Sequence, residues 1–110
     1  MSPSDFSIER LNRQEARKLI AKIVSKTPHR VRFTGHAVRE LMDDGLTETD
    51  GWNVLSSPDA KIHHEGEFEK GSFRYRLETT NLMVVVAFTA DGTSLVVVTA
   101  WDKRKGRKGR

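Results

Sequence analysis

The chain has 110 residues, is 36% hydrophobic and contains no cysteine, which implies one small domain with a modest core and excludes a disulfide scaffold or a thiolate zinc site. Its formal charge is +4, yet residues 102–110 hold six basic side chains against one acid, so the remainder carries a net −1 and is not globally cationic. Residues 1–10 are polar with Asp5 and Glu9, unlike a signal peptide, and the longest apolar run, Leu82–Phe88, is too short to cross a bilayer. A soluble, cytoplasmic protein with no membrane association is expected.

Residues 1–10 read as loosely ordered. From Asn12 the pattern is helical: Ala16, Leu19, Ile20, Ile23 and Val24 form one apolar stripe, Asn12 with Glu15 makes a capping-box pattern, and Pro28 ends the helix. Residues 30–33 alternate polar and apolar, as a short strand or an extended linker would. Thr34 caps a second helix over 35–44, with Ala37, Val38, Leu41 and Met42 as its apolar positions and Gly45 closing it. Thr47 and Asp50 open a third, carrying Trp52 and Leu55, which Pro58 stops.

The period then changes. Residues 72–79 alternate, with Phe73, Tyr75 and Leu77 on one face and Arg74, Arg76 and Glu78 on the other. The Val-rich runs 82–89 and 94–101 flank Ala90-Asp91-Gly92-Thr93, a hairpin signal, and residues 60–65 supply a weaker strand. The expected fold is α+β: N-terminal helices on one face of a three- to four-stranded antiparallel sheet over residues 1–101, followed by a basic tail over 102–110.

No phosphate-binding loop, nucleophile elbow or zinc-binding helix motif is present. His63 and His64 are adjacent on a strand and point to opposite faces, so they make a poor ligand pair, and no metal or cofactor is expected. The remaining chemistry is that of metal-free RNA cleavage, which needs a base, an acid and cations on the phosphorane. His36 lies in the first turn of a helix, whose positive end attracts phosphate, with Arg39 one turn on along the same side. Arg74 and Arg76 form a cationic stripe. Thr99 and Trp101 share a face at the end of the last strand, where Trp101 can stack a base. Lys103, Arg104 and Lys105 extend the phosphate track.

The stretches Phe33-Thr34-Gly35-His36-Ala37-Val38-Arg39-Glu40-Leu41-Met42, Gly45-Leu46-Thr47 and Leu95-Val96-Val97-Val98-Thr99-Ala100-Trp101 resemble an uncharacterised bacterial domain family. Its pattern is His-Ala-x-x-Arg-Met, then Gly-Ile-Ser/Thr, then a Val-rich strand closing in Val-Thr and an aromatic. That family is grouped with RelE-like toxins in the barnase–EndoU–colicin–RelE nuclease class; Arg39 stands one residue earlier than in the pattern. Residues 44–55 and the order of elements are also similar to MqsR-type mRNA interferases, although the Gln of their site has no counterpart here. Together the resemblances span about residues 12–103. They imply a RelE-like fold and a metal-independent endoribonuclease toxin acting on RNA, free or ribosome-bound, with a cognate antitoxin as partner. His36, Arg74 and Thr99 would be catalytic, and Arg39, Arg76, Trp101, Lys103, Arg104 and Lys105 RNA-binding. The alternative is a non-catalytic nucleic-acid- or protein-binding module of the same fold. An exposed strand edge at residues 60–65 would accept the partner by strand addition.

Overall fold

The structure, a computed structural model, describes residues 10–64 and 66–105. The loosely ordered reading of residues 1–9 and the last part of the basic tail, residues 106–110, lie outside the described residues.

The first helix, α1 (Arg13–Lys26), begins in a full capping box: the Asn12 side chain accepts from the Glu15 amide at 2.8 Å, and the Glu15 carboxylate accepts from the Asn12 amide at 3.1 Å. It buries Ala16, Ile20 and Ile23, and Pro28 follows in a short 3₁₀ turn that leads into strand β1 (Val31–Phe33). Helix α2 (Gly35–Asp43) is tied at both ends to strand β6 (Leu95–Asp102). At its start the Thr34 hydroxyl accepts from the Ala37 amide at 3.0 Å and donates to the Val98 carbonyl at 3.2 Å. At its end the Asp44 carboxylate accepts from the Asp102 amide at 2.8 Å. Gly45 then takes a φ of 77°, which glycine adopts without strain.

Helix α3 (Glu48–Ser56) packs through Gly51, Val54 and Leu55. A Cβ on Gly51 would stand 2.7 Å from the Phe33 ring, so the bare glycine is what lets helix and strand approach. Strands β2 (Lys61–Ile62), β3 (Glu67–Glu69), β4 (Ser72–Glu78) and β5 (Leu82–Phe88) complete a six-stranded sheet of order β1-β6-β5-β4-β2, with β3 also on the outer edge of β4.

The α+β class stands, with three helices and a mixed sheet, but the expected three or four antiparallel strands become six. β1 pairs in parallel with β6, Val31 opposite Leu95 and Phe33 opposite Val97. At three residues β1 is too short for periodicity to separate a strand from a linker, and its partner lies more than sixty residues away in sequence. β3 forms because Lys70 and Gly71, with φ of 49° and 86°, make a tight turn back onto β4.

All three helices pack on one face, over Tyr75, Leu77, Val84, Val86, Phe88, Leu95, Val97 and Ala100. The Tyr75 hydroxyl, buried there, accepts from the Leu11 amide at 2.8 Å. No helix among the described residues is long and apolar enough to cross a membrane. At the C-terminal end, β6 runs to a buried Asp102 and a 3₁₀ turn over Lys103–Lys105. The Lys103 amide donates to the Asn81 carbonyl at 2.7 Å, which ties this turn to the start of β5.

Candidate nucleic-acid interface

The other face of the sheet carries no helix among the described residues, and strand alternation lays its side chains out in rows. Arg32, Val96, Ala87 and Arg74 stand opposite one another across β1, β6, β5 and β4. The next row is Thr99, Val85 and Arg76, and the one after it Trp101, Met83 and Glu78. The floor is apolar, and its rims carry Arg32, Arg74 and Arg76 together with the acids Glu67 and Glu78. Val85 and Ala87 are each only 6% exposed although they lie outside the main core.

One irregularity builds this surface. The register shifts between Val85 and Val86, so Val85 opposes Thr99 and Val86 opposes Val97, and Val98 is the extra residue of a β-bulge. Simple alternation from Leu95 would turn Thr99 and Trp101 into the core with Val97. The bulge turns both outward and returns Ala100 and Asp102 to the helix side. The bulged residue's carbonyl is the one that accepts from Thr34.

Arg74 is steadied by its Nε donating to the Ser72 hydroxyl at 3.0 Å. Arg76 lies 3.9 Å from the Glu67 carboxylate, a pairing exposed on both sides and therefore weak. The Thr99 hydroxyl oxygen is buried and has no hydrogen-bond partner. A buried hydroxyl without a partner costs about 1–3 kcal/mol.

His36 and Arg39 are placed differently. Both are exposed on α2, which continues the β1 side of β6 beyond Phe33. The Arg39 guanidinium folds back over Gly35, making a basic corner at the start of that helix. With strands about 4.8 Å apart, Thr99 and Arg76 are separated by roughly 10 Å at the backbone, and His36 stands on α2 rather than on a strand of this face. The sheet thus brings Arg74, Arg76, Thr99 and Trp101 onto one surface, while His36 and Arg39 stand on α2.

The cations at the chain end are engaged internally. Lys103 donates from Nζ to Glu78 at 2.5 Å and to the Thr79 carbonyl at 3.1 Å. Arg104 holds Asp102 through Nε at 3.0 Å and Nη2 at 2.9 Å, and its amide donates to the same carboxylate at 2.8 Å. These contacts hold the Asp102 carboxyl down to about 2, chiefly through the Arg104 side chain, and raise the Arg104 guanidinium in return. Lys105 is exposed. Glu78 also faces the His63 imidazole at 3.8 Å. No group of three or more metal-ligating side chains converges among the described residues.

Sequence reasoning missed Arg32 as a member of this face. The alternation of residues 30–33 was its only signal, and without the parallel pairing to β6 nothing assigned it a side. The edge at residues 60–65 is also less open than expected: Arg13 donates to the His63 carbonyl at 3.0 Å and Arg17 to the Ala60 carbonyl at 3.0 Å, which occupies two of its acceptors.

No family model matches the chain, and comparisons with curated proteins and with solved structures likewise find no match.

Proposed function

We propose that the protein is a metal-independent endoribonuclease of the toxin type, RelE-like in its fold, that holds single-stranded RNA across the uncovered face of its sheet. The supporting observation is the arrangement of Arg32, Arg74 and Arg76 around an apolar floor that ends in Trp101 and contains the unpartnered Thr99 hydroxyl. Guanidinium groups suit phosphate oxygens, an indole suits a base, and a flat row of strands suits an extended strand of RNA.

In this reading Arg74 and Arg76 bind the backbone, Trp101 stacks a base and Thr99 donates or accepts at the ribose or phosphate. His36 transfers the proton, with Arg39 beside it as the nearest charge for the phosphorane. Lys105 continues the track beyond β6, while Lys103 and Arg104 shape the sheet end. A nuclease acting on cellular RNA needs a masking partner, so a cognate antitoxin and a cytoplasmic site of action belong to the same proposal.

The position of His36 favours a second reading, a binding module of the same fold without cleavage, since His36 stands on α2 and not on the strand face that carries Arg74. Induced expression in a bacterium separates the two. Growth arrest with RNA loss for the native chain, abolished by His36→Ala and by Arg74→Ala, supports the nuclease. Harmless expression with RNA binding that Arg74→Ala weakens supports the binding module. Harmless expression with no RNA binding contradicts both.

A further inference from the structure

A second cationic surface lies at the outer edge of the sheet, between α1 and β2, with Lys61 on the strand face that also carries Glu78. It is a groove of about 1040 Å³, with room for several amino-acid side chains rather than one phosphate. Arg13, Arg17, Lys18 and Lys61 line it, and no described carboxylate does. Because residues 1–101 carry a net −1, this concentration of one sign does not follow from overall charge.

Arg17 fixes the character of the groove. Its Nε and Nη2 donate to the carbonyls of Ala60 and Ser57, the latter at 2.6 Å, and its buried Nη1 has no partner. Only neutral acceptors meet this guanidinium, so its positive charge is uncompensated, and burial lowers its pKa accordingly. The floor of the groove is apolar, formed by Ala21, Pro58, Ala60 and Ile62.

We infer that this groove docks an acidic segment of a partner protein, one carrying carboxylates along an apolar edge. The positive field selects carboxylates, and the apolar floor takes the side chains between them. RNA fits less well, since no Phe, Tyr or Trp lines the groove to stack bases. Strand addition is not the mode, because Arg13 and Arg17 hold the carbonyls of His63 and Ala60; the segment lies along α1 and binds through side chains. The inference stands apart from the RNA reading.

Two labelled probes test it in fluorescence anisotropy: a peptide of about a dozen residues rich in Glu with interspersed Leu, and an oligouridylate of similar length. The full chain is compared with Lys18→Glu/Lys61→Gln and with Arg74→Ala/Arg76→Ala. Glutamine is used at 61 because that residue stands opposite Glu78, where a second carboxylate would repel. Lys18 and Lys61 are exposed, so the first variant keeps the native thermal transition. The expected result is salt-sensitive peptide binding to the native chain, at least about tenfold weaker in Lys18→Glu/Lys61→Gln and unchanged in the β4 variant. Absence of peptide binding, or equal binding to Lys18→Glu/Lys61→Gln, overturns the inference. So does loss of oligouridylate binding in that same variant, which would make the groove part of an RNA track.

Discussion

Thr99 and Arg76 stand in one cross-strand row of the uncovered face with Val85 between them, and the Thr99 hydroxyl is buried there without a partner. A buried hydroxyl without a partner destabilises the free protein.

That relationship predicts a trade between stability and function. Thr99→Val removes the unpartnered hydroxyl at nearly constant volume, so it should stabilise the fold by about 1 kcal/mol, a rise of roughly 4–8 °C in a thermal scan. The same variant should bind or cleave RNA less well. A fall in melting temperature would mean that the hydroxyl has a structural partner after all.

Arg74 and Arg76 should act as backbone contacts, so their loss should weaken binding to all single-stranded sequences alike. Each substitution by alanine should lower the slope of log K against log salt by about 0.7, the single-strand value for one phosphate. A change confined to one RNA sequence would point to base readout instead.

The β-bulge at Val98 explains what the sequence could and could not convey. The α1 stripe, the Asn12–Glu15 box and the β4 alternation follow local periods, and each appears where those periods place it. The facing of Thr99 and Trp101 depends on one extra residue in β6, which no local period records, because a Val-rich run reads the same with or without it. β1 was ambiguous for the related reason that its parallel partner is remote in sequence. The alternation of β4 was legible in the sequence, and the geometry of the uncovered face was not: Arg32 shares a row with Arg74, and His36 stands on α2.

Gly51 should tolerate no side chain. Alanine there would gain up to about 1 kcal/mol of helix propensity in α3 but place its Cβ 2.7 Å from the Phe33 ring, an overpacking that costs about 1–3 kcal/mol. Net destabilisation of Gly51→Ala in urea unfolding is expected. Unchanged stability would show that Phe33 and Trp52, with ring centroids 6.2 Å apart, can shift freely.

Acid should loosen the end of β6 first. The Asp102 carboxyl titrates near 2 in the folded chain, held chiefly by the Arg104 side chain, against an ordinary value of about 4 when unfolded. Its contribution is therefore complete above pH of about 4 and lost as the pH falls from there toward 2. Asp102→Asn should be less stable than the native chain at neutral pH and should show a smaller loss over that acid range. Equal acid sensitivity in the two proteins would assign the loss to other carboxylates.

The claim that RNA lies on the uncovered face is tested most directly by titrating oligouridylate into isotopically labelled protein and following amide and indole resonances. The account predicts that the Trp101 indole and the amides of Arg76, Val85 and Thr99 shift together, while those of α1 stay in place. Shifts confined to α1 and residues 60–63, or no shifts at all, would contradict it.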